Sequence, residues 1–178
     1  FKRVKEILDR YGILLIIDEV QTGFCRTGKM FAIENYGISP DIMTMAKALG
    51  NGTPISAFIA TEKVANTYTK PGASTLGGNP VSSTAALATL DYLIDNKLAD
   101  NALARGAQLK AGLAELQKKY PIIGDIRGMG LMVGAELVHA DNSPASTETD
   151  IILEEMKNRG FIVGKNGVAR NVLAFQPP

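Results

Sequence analysis

The chain has 178 residues, of which 46% are hydrophobic, and a formal net charge of +1 at pH 7. A chain of this kind can bury a sizeable core in one or two small domains. The near-neutral charge and the lack of a basic run argue against nucleic-acid binding and against binding to an acidic membrane surface. No apolar stretch is long enough to cross a bilayer.

The small numbers of cysteine and histidine residues exclude further kinds of site. One cysteine excludes an internal disulfide and fits a reducing, cytoplasmic compartment, and a single histidine argues against a structural zinc site. The chain begins without methionine inside a helical pattern and stops directly after a strand-like run. We therefore expect it to be part of a longer protein.

In chain order, the first part alternates helical segments with short apolar runs. A helix is predicted over 1–10, where apolar residues recur on one face. Buried strands are predicted by the apolar runs 13–17, 42–45 and 55–60. A short helix over 30–36 separates the first two strands, which is typical of a βαβ unit with parallel strands and a right-handed crossover. Further helices are predicted from Glu62 and over 82–93.

The second part has a different pattern. A long helix over 98–120 ends before Pro121, and antiparallel strands are predicted over 122–127 and 129–138, around Gly128. The remaining predicted elements are a helix over 147–159 and strands over 161–163 and 172–175. We place a domain boundary near Asp95, between an α/β part, residues 1–95, and a smaller α+β part, residues 96–178.

Two of the predicted strands are followed by charged residues. Asp18 and Glu19 follow the run 13–17, and Lys47 comes shortly after the run 42–45. Because the carboxyl ends of parallel strands meet at one edge of a sheet, we expect Asp18 and Lys47 to lie close together. The pattern alone favours ordinary roles for these residues, as a cap or as solvated surface charges.

A lysine beside a carboxylate also suits the chemistry of pyridoxal phosphate. A lysine at a dry strand end can act as a neutral amine and form a Schiff base with a carbonyl. The cofactor stabilises a carbanion by drawing electrons into its ring, and a nearby carboxylate such as Asp18 favours the protonated ring nitrogen. Gln21 could bind the phenolic oxygen, and Thr75 could offer its hydroxyl to the phosphate, with free amides of Gly77 and Gly78.

Three segments carry a resemblance to a known family. They are 16–28 (IIDEVQTGFCRTG), 40–52 (PDIMTMAKALGNG) and 74–80 (STLGGNP). Their order and spacing, with 29 positions from Asp18 to Lys47, resemble those of the class III (ω-amino acid) pyridoxal-phosphate aminotransferases. The resemblance covers nearly the whole chain.

The resemblance implies a role for each matching residue. Lys47 matches the Schiff-base lysine that also moves the proton at the substrate carbon, and Asp18 matches the partner of the pyridine nitrogen. Val20 matches the apolar residue against the ring face, and Gln21 matches the partner of the phenolic oxygen. Thr75 matches the threonine that reaches the phosphate of the neighbouring subunit's cofactor, which implies a homodimer with shared active sites.

The implied fold is that of fold type I enzymes, with 1–95 as the second half of the cofactor-binding large domain and 96–178 as a truncated small domain. The implied reaction moves an amino group from an amine or ω-amino acid to a 2-oxo acid. A lyase, epimerase or aminomutase of the same family, or an inactive fragment, stays open as the alternative.

Some positions depart from the family or receive ordinary roles. Many members carry a carboxylate-binding arginine where this chain has Ala174, and Arg170 could substitute if both lay on one strand face. We expect Glu19 to be a local hydrogen-bond or ion-pair partner. Cys25, where glycine is common in the family, is expected to be inert, and Arg26 is expected to hold its own loop.

Overall fold

The computed structural model describes all 178 residues, and the chain divides into two compact units, residues 1–99 (unit 1) and 100–178 (unit 2). The α/β class predicted from the sequence is confirmed. The identities expected for the two parts, large domain and truncated small domain, stay predictions.

Unit 1 is built on a three-stranded sheet in the order β1-β2-β3. The strands are β1 (Ile16–Asp18), β2 (Ile42–Met45) and β3 (Ala57–Ala60). β1 and β2 are parallel, as predicted, and their register places Asp18 opposite Thr44. β3 is antiparallel to β2. A 3-10 helix, Ala32–Tyr36, lies in the connection between the parallel strands.

Three helices complete unit 1, namely α1 (Lys2–Arg10), α2 (Glu62–Ala65) and α3 (Pro80–Asp95). α3 begins at Pro80, and Asn79 caps it. The Asn79 side-chain oxygen accepts a hydrogen bond from the Ser82 N–H at 3.0 Å, and Pro80 occupies the first turn.

The first strand is shorter than its apolar run predicts. It begins at Ile16, and Ile13 and Leu14 are exposed. Leu15 is held by Asp41: its N–H donates to Asp41 Oδ2 at 2.8 Å, and its carbonyl accepts from the Asp41 N–H at 2.9 Å. The Asp41 side chain therefore accepts the Leu15 N–H, which in a longer strand would donate to a backbone carbonyl of the neighbouring strand.

The core of unit 1 joins the sheet to α3 and to the loop after β1. Its buried members are Phe24, Ile33, Met43, Met45, Leu49 and Ala86. Met43 and Met45 alternate along β2 with half-buried residues, as expected for core filling.

Unit 2 contains an antiparallel sheet in the order β4-β5-β7-β6 and two helices. The strands are β4 (Ile123–Met129), β5 (Met132–Leu137), β6 (Gly164–Asn166) and β7 (Val172–Phe175); the helices are α4 (Leu98–Lys119), which starts at the end of unit 1, and α5 (Ser146–Asn158). The β4–β5 turn lies at Gly130 and Leu131, two residues after the predicted Gly128, because Met129 pairs with Met132. None of the helices has the length and hydrophobicity that a membrane span requires.

One strand of unit 2 was predicted three residues too early. The apolar run 161–163 lies outside the sheet, with Ile162 almost fully exposed, and β6 is instead the polar stretch that follows. Pairing with β7 decides this position, since Asn166 lies opposite Val172 across the turn at Gly167.

Candidate functional site

The structure brings Asp18 and Lys47 to one edge of the unit 1 sheet. Asp18 is the last residue of β1, and Lys47 begins the short 3-10 helix Lys47–Gly50 two residues after the end of the parallel strand β2. This placement at a shared carboxyl edge is the one that the sequence pattern predicts. Both side chains are exposed in this chain.

The carboxylate of Asp18 is oriented by two donors. The Val20 N–H donates to Oδ1 at 2.9 Å, and the Thr44 hydroxyl donates to the same oxygen at 3.2 Å. Thr44 also accepts the Glu19 N–H at its backbone carbonyl, at 2.9 Å. No role for Thr44 was predicted from the sequence. The available signal was a hydroxyl side chain within the otherwise apolar segment of β2.

The backbone at Lys47 is unusual for a residue with a side chain. Its φ is 46°, in the left-handed region that favours glycine. For an L-residue this conformation costs roughly 1–2 kcal/mol. It follows Ala46, whose φ of −163° is extended. Strain of this kind is characteristic of functional positions, where the surrounding structure fixes the side chain.

Glu19 lies beside Asp18 but has a different environment. Only 1% of its surface is exposed. Its carboxylate accepts hydrogen bonds from the Ile33 N–H at 2.8 Å, the Ala32 N–H at 3.1 Å and the Thr22 hydroxyl at 2.5 Å. The Glu19 carboxylate thus accepts the first two N–H groups of the 3-10 helix Ala32–Tyr36. Glu19 is therefore the local hydrogen-bond partner that was expected.

The loop after β1 explains why glycine suits position 25. Cys25 is buried with a φ of 70°, and Phe24 before it has a φ of 59°. Burial raises the pKa of the Cys25 thiol, which keeps the sulfur protonated and fits the expected inert role. Burial also lowers the pKa of the Arg26 guanidinium in the next position.

The remaining predicted cofactor ligands lie in turns. Val20 is half-buried and Gln21 is exposed in the turn that follows Asp18. Thr75 is exposed in the loop before α3, where the Gly77 N–H donates to the Ser74 hydroxyl at 3.0 Å. The expectation of a free Gly77 amide for a phosphate is therefore wrong in this structure.

Ala174, where many family members carry a carboxylate-binding arginine, lies inside the sheet of unit 2. This residue is buried in β7, between Gly134 on β5 and Gly164 on β6. Arg170 lies outside β7, exposed, with a φ of 56° and its N–H bonded to the Gly167 carbonyl at 3.0 Å. The suggestion that Arg170 substitutes from the same strand face is therefore wrong, because it does not lie on that strand.

With this geometry established, comparison with known proteins identifies the family. The chain matches the family model described as aminotransferase class-III over residues 1–178. It belongs to the class III aminotransferase family. This class III chain is 44% identical to alanine–glyoxylate aminotransferase 2 homolog 2, mitochondrial, of Arabidopsis thaliana, over 97% of the chain and 37% of that protein. It is also 44% identical to a leucine/methionine racemase of Thermococcus litoralis, over 100% of the chain and 40% of that protein.

Solved structures agree with the family assignment. A phospholyase from Arthrobacter, in complex with phosphoethanolamine, matches with a TM-score of 0.95 at 34% identity over 99% of this class III chain and 43% of that one. An ornithine aminotransferase from Toxoplasma gondii, described with partial occupancy of pyridoxal phosphate, matches with a TM-score of 0.89 at 37% identity over 99% of this chain and 41% of that one. The chain thus spans about two fifths of the length of the proteins it resembles.

Class III aminotransferases use pyridoxal phosphate, and the donor set of unit 1 fits that cofactor. A primary amine and a carboxylate lie at the same sheet edge, and both are exposed. The two donors to Asp18 reach only Oδ1. Oδ2 is therefore the oxygen of Asp18 that neither of them engages, and it suits a protonated ring nitrogen.

Proposed function

We propose that the protein to which this chain belongs is a pyridoxal-phosphate-dependent aminotransferase that moves an amino group from an amine or ω-amino acid to a 2-oxo acid. The observation that carries the proposal is the pairing of β1 with β2. It brings the Asp18 carboxylate and the Lys47 amine to one sheet edge in a chain that matches the class III family throughout.

Four residues of unit 1 have distinct tasks in this proposal. When bound, pyridoxal phosphate supplies an electron sink for charge that develops at the substrate carbon. Lys47 Nζ would hold the cofactor until the substrate amine displaces it, and the released amine would then accept the proton from the substrate carbon and later return it. Asp18 favours the protonated ring nitrogen, Val20 packs against the ring, and Gln21 binds the phenolic oxygen.

The proposal includes a homodimer with shared sites. Thr75 of one subunit would bind the phosphate held in the other. Its exposed position in the loop before α3 supports this, since an exposed hydroxyl is accessible to a second chain. We also propose a cytoplasmic location, supported by the single, unpaired Cys25.

A second candidate keeps the cofactor and changes the reaction. The racemase of Thermococcus litoralis is as similar to this chain as the Arabidopsis aminotransferase homologue is, and the Arthrobacter phospholyase matches in structure. Ala174 offers no cation to a substrate carboxylate, which favours an amine anchored in another way. A racemase or lyase of the same family is therefore the alternative.

The cofactor experiment uses the full-length protein. Pyridoxal phosphate should turn it yellow, and borohydride should fix the cofactor on the peptide that holds Lys47. Lys47→Ala should remove both the fixation and all turnover, while Lys63→Ala, an exposed lysine on α2, should leave both unchanged. A protein that stays colourless, or fixation on another peptide, would contradict the proposal.

A second experiment separates the two reactions. Single amines are incubated with pyruvate or 2-oxoglutarate, and the products are followed by chromatography. Formation of alanine or glutamate supports transfer. Release of ammonia or phosphate without a new amino acid supports a lyase, and loss of optical purity without transfer supports a racemase.

A further inference from the structure

Thr44 contacts Asp18 and lies on the strand that leads to Lys47, the proposed Schiff-base lysine. It lies in β2 directly opposite Asp18, and its strand ends one residue later, shortly before Lys47. Its carbonyl accepts the Glu19 N–H at 2.9 Å, and its hydroxyl donates to Asp18 Oδ1 at 3.2 Å. Main chain and side chain of Thr44 thus hold the end of β1 against the strand that leads to the lysine.

The hydroxyl contact determines how the Asp18 carboxylate is turned. Rotation about its last side-chain bond is soft, since terminal bonds to carboxylates have broad minima. Val20 N–H and the Thr44 hydroxyl approach the same oxygen from two segments of chain, which fixes the plane of the carboxylate. With Oδ1 held in this way, Oδ2 is the oxygen presented away from both donors.

We propose that Thr44 is a positioning residue for the cofactor: its hydroxyl holds Asp18 Oδ1, so that Oδ2 faces the ring nitrogen of pyridoxal phosphate. The proposal rests on the proposed function, since it assigns that cofactor to the same site. Thr44 itself touches neither the cofactor nor the substrate in this role. Its side chain acts only through Asp18.

The test compares three variants of the full-length protein. Thr44→Val removes the hydroxyl and keeps the shape and the β-branch, while Thr44→Ser keeps the hydroxyl. Thr67→Val is the matched control, because the Thr67 hydroxyl donates to the Val64 carbonyl at 2.7 Å on the exposed side of unit 1. The measurements are the dissociation constant of pyridoxal phosphate and the nitrogen-15 signal of ring-labelled cofactor, which reports the proton on the ring nitrogen.

We expect Thr44→Val to raise the dissociation constant roughly five-fold, the effect of one lost hydrogen bond. We also expect it to move the nitrogen signal towards the unprotonated position. Thr44→Ser should restore both values to within about twofold of wild type, and Thr67→Val should leave both unchanged.

Two outcomes would overturn the positioning role while leaving the proposed function intact. One is a Thr44→Val protein whose affinity and nitrogen signal equal those of wild type. The other is a Thr44→Ser protein as impaired as Thr44→Val, since the methyl group rather than the hydroxyl would then be responsible. Failure of the wild-type protein to bind pyridoxal phosphate would instead refute the proposed function, and the positioning role with it.

Discussion

The two sheets of this chain are stabilised in different ways. In unit 2, β5 buries every second side chain almost completely, with Val133 at 2%, Ala135 at 1% and Leu137 at 1% exposure. In unit 1, a packed core joins the sheet to α3 and to the loop after β1, and the segment around Asp18 is held in addition by hydrogen bonds. The residues that the family resemblance assigns to the cofactor all lie in unit 1, namely Asp18, Val20, Gln21, Lys47 and Thr75. The comparison indicates that packing stabilises both units, and that directional hydrogen bonds additionally orient the site residue Asp18 in unit 1.

Among the substitutions considered, Asp18→Asn should reduce the rate of the reaction most, and it should change the stability of the fold little. An amide cannot favour a protonated ring nitrogen as a carboxylate does, so proton removal from the substrate should slow roughly a thousandfold. Cofactor binding should be partly retained. Single-turnover kinetics and a thermal melt of the full-length protein measure the two effects. Asp91→Asn, at an exposed position of α3, is the control, and equal rates in both variants would refute a role for Asp18.

Leu137→Ala should reverse that pattern. It removes a side chain that is only 1% exposed in the core of unit 2 and should lower the free energy of unfolding by about 3 kcal/mol. Pyridoxal-phosphate affinity, measured well below the melting temperature, should stay within about twofold of wild type. Leu103→Ala, at a position of α4 that is 48% exposed, makes the same chemical change and should cost much less. Comparable losses from both variants would show that packing does not dominate unit 2.

Glu19→Ala tests whether buried hydrogen bonds stabilise unit 1. The substitution leaves the Ala32 and Ile33 N–H groups without their acceptor and should lower the free energy of unfolding by about 2 kcal/mol. Urea unfolding measures the loss. Glu6→Ala, at an exposed position of α1, serves as the control. A loss below that of the control would mean that unit 1 does not depend on this carboxylate.

Asp41→Asn should give the smallest effect, and one that depends on pH. The Leu15 N–H, assisted by the Lys5 ammonium, lowers the pKa of Asp41 below its usual 3.8. Because the pKa is lower in the folded than in the unfolded chain, the carboxylate stabilises the fold above pH 3.8. This contribution is lost as the pH falls through the lowered value. We expect a difference of about 1 kcal/mol at neutral pH that shrinks in acid, measured by urea unfolding. A difference that persists in acid would contradict this assignment.

Much of the fold followed from local patterns. The parallel pair β1 and β2, the long helix α4 and the alternation along β5 were predicted because each depends on apolar spacing within one segment. The start of β1 and the position of β6 were missed. A partner distant in sequence decides both: Asp41 takes the donor of Leu15, and Val172 fixes the register of Asn166.

The positions of the two main site residues were predictable from the sequence, but the contacts around them were not. The sequence placed Asp18 and Lys47 at one edge because both follow apolar runs in a βαβ pattern. The Thr44 contact was not visible, since it depends on the register of two strands. The left-handed backbone of Lys47 was also not visible, because no residue type near it demands that conformation.

The left-handed backbone of Lys47 has an evolutionary consequence. Glycine adopts this conformation freely, and asparagine tolerates it better than lysine does. In a lineage released from selection for catalysis, replacement of this lysine would therefore be neutral or favourable for folding, and drift would remove it early. Descendants that have lost the chemistry should be recognisable by glycine or asparagine at position 47, before changes accumulate in the core.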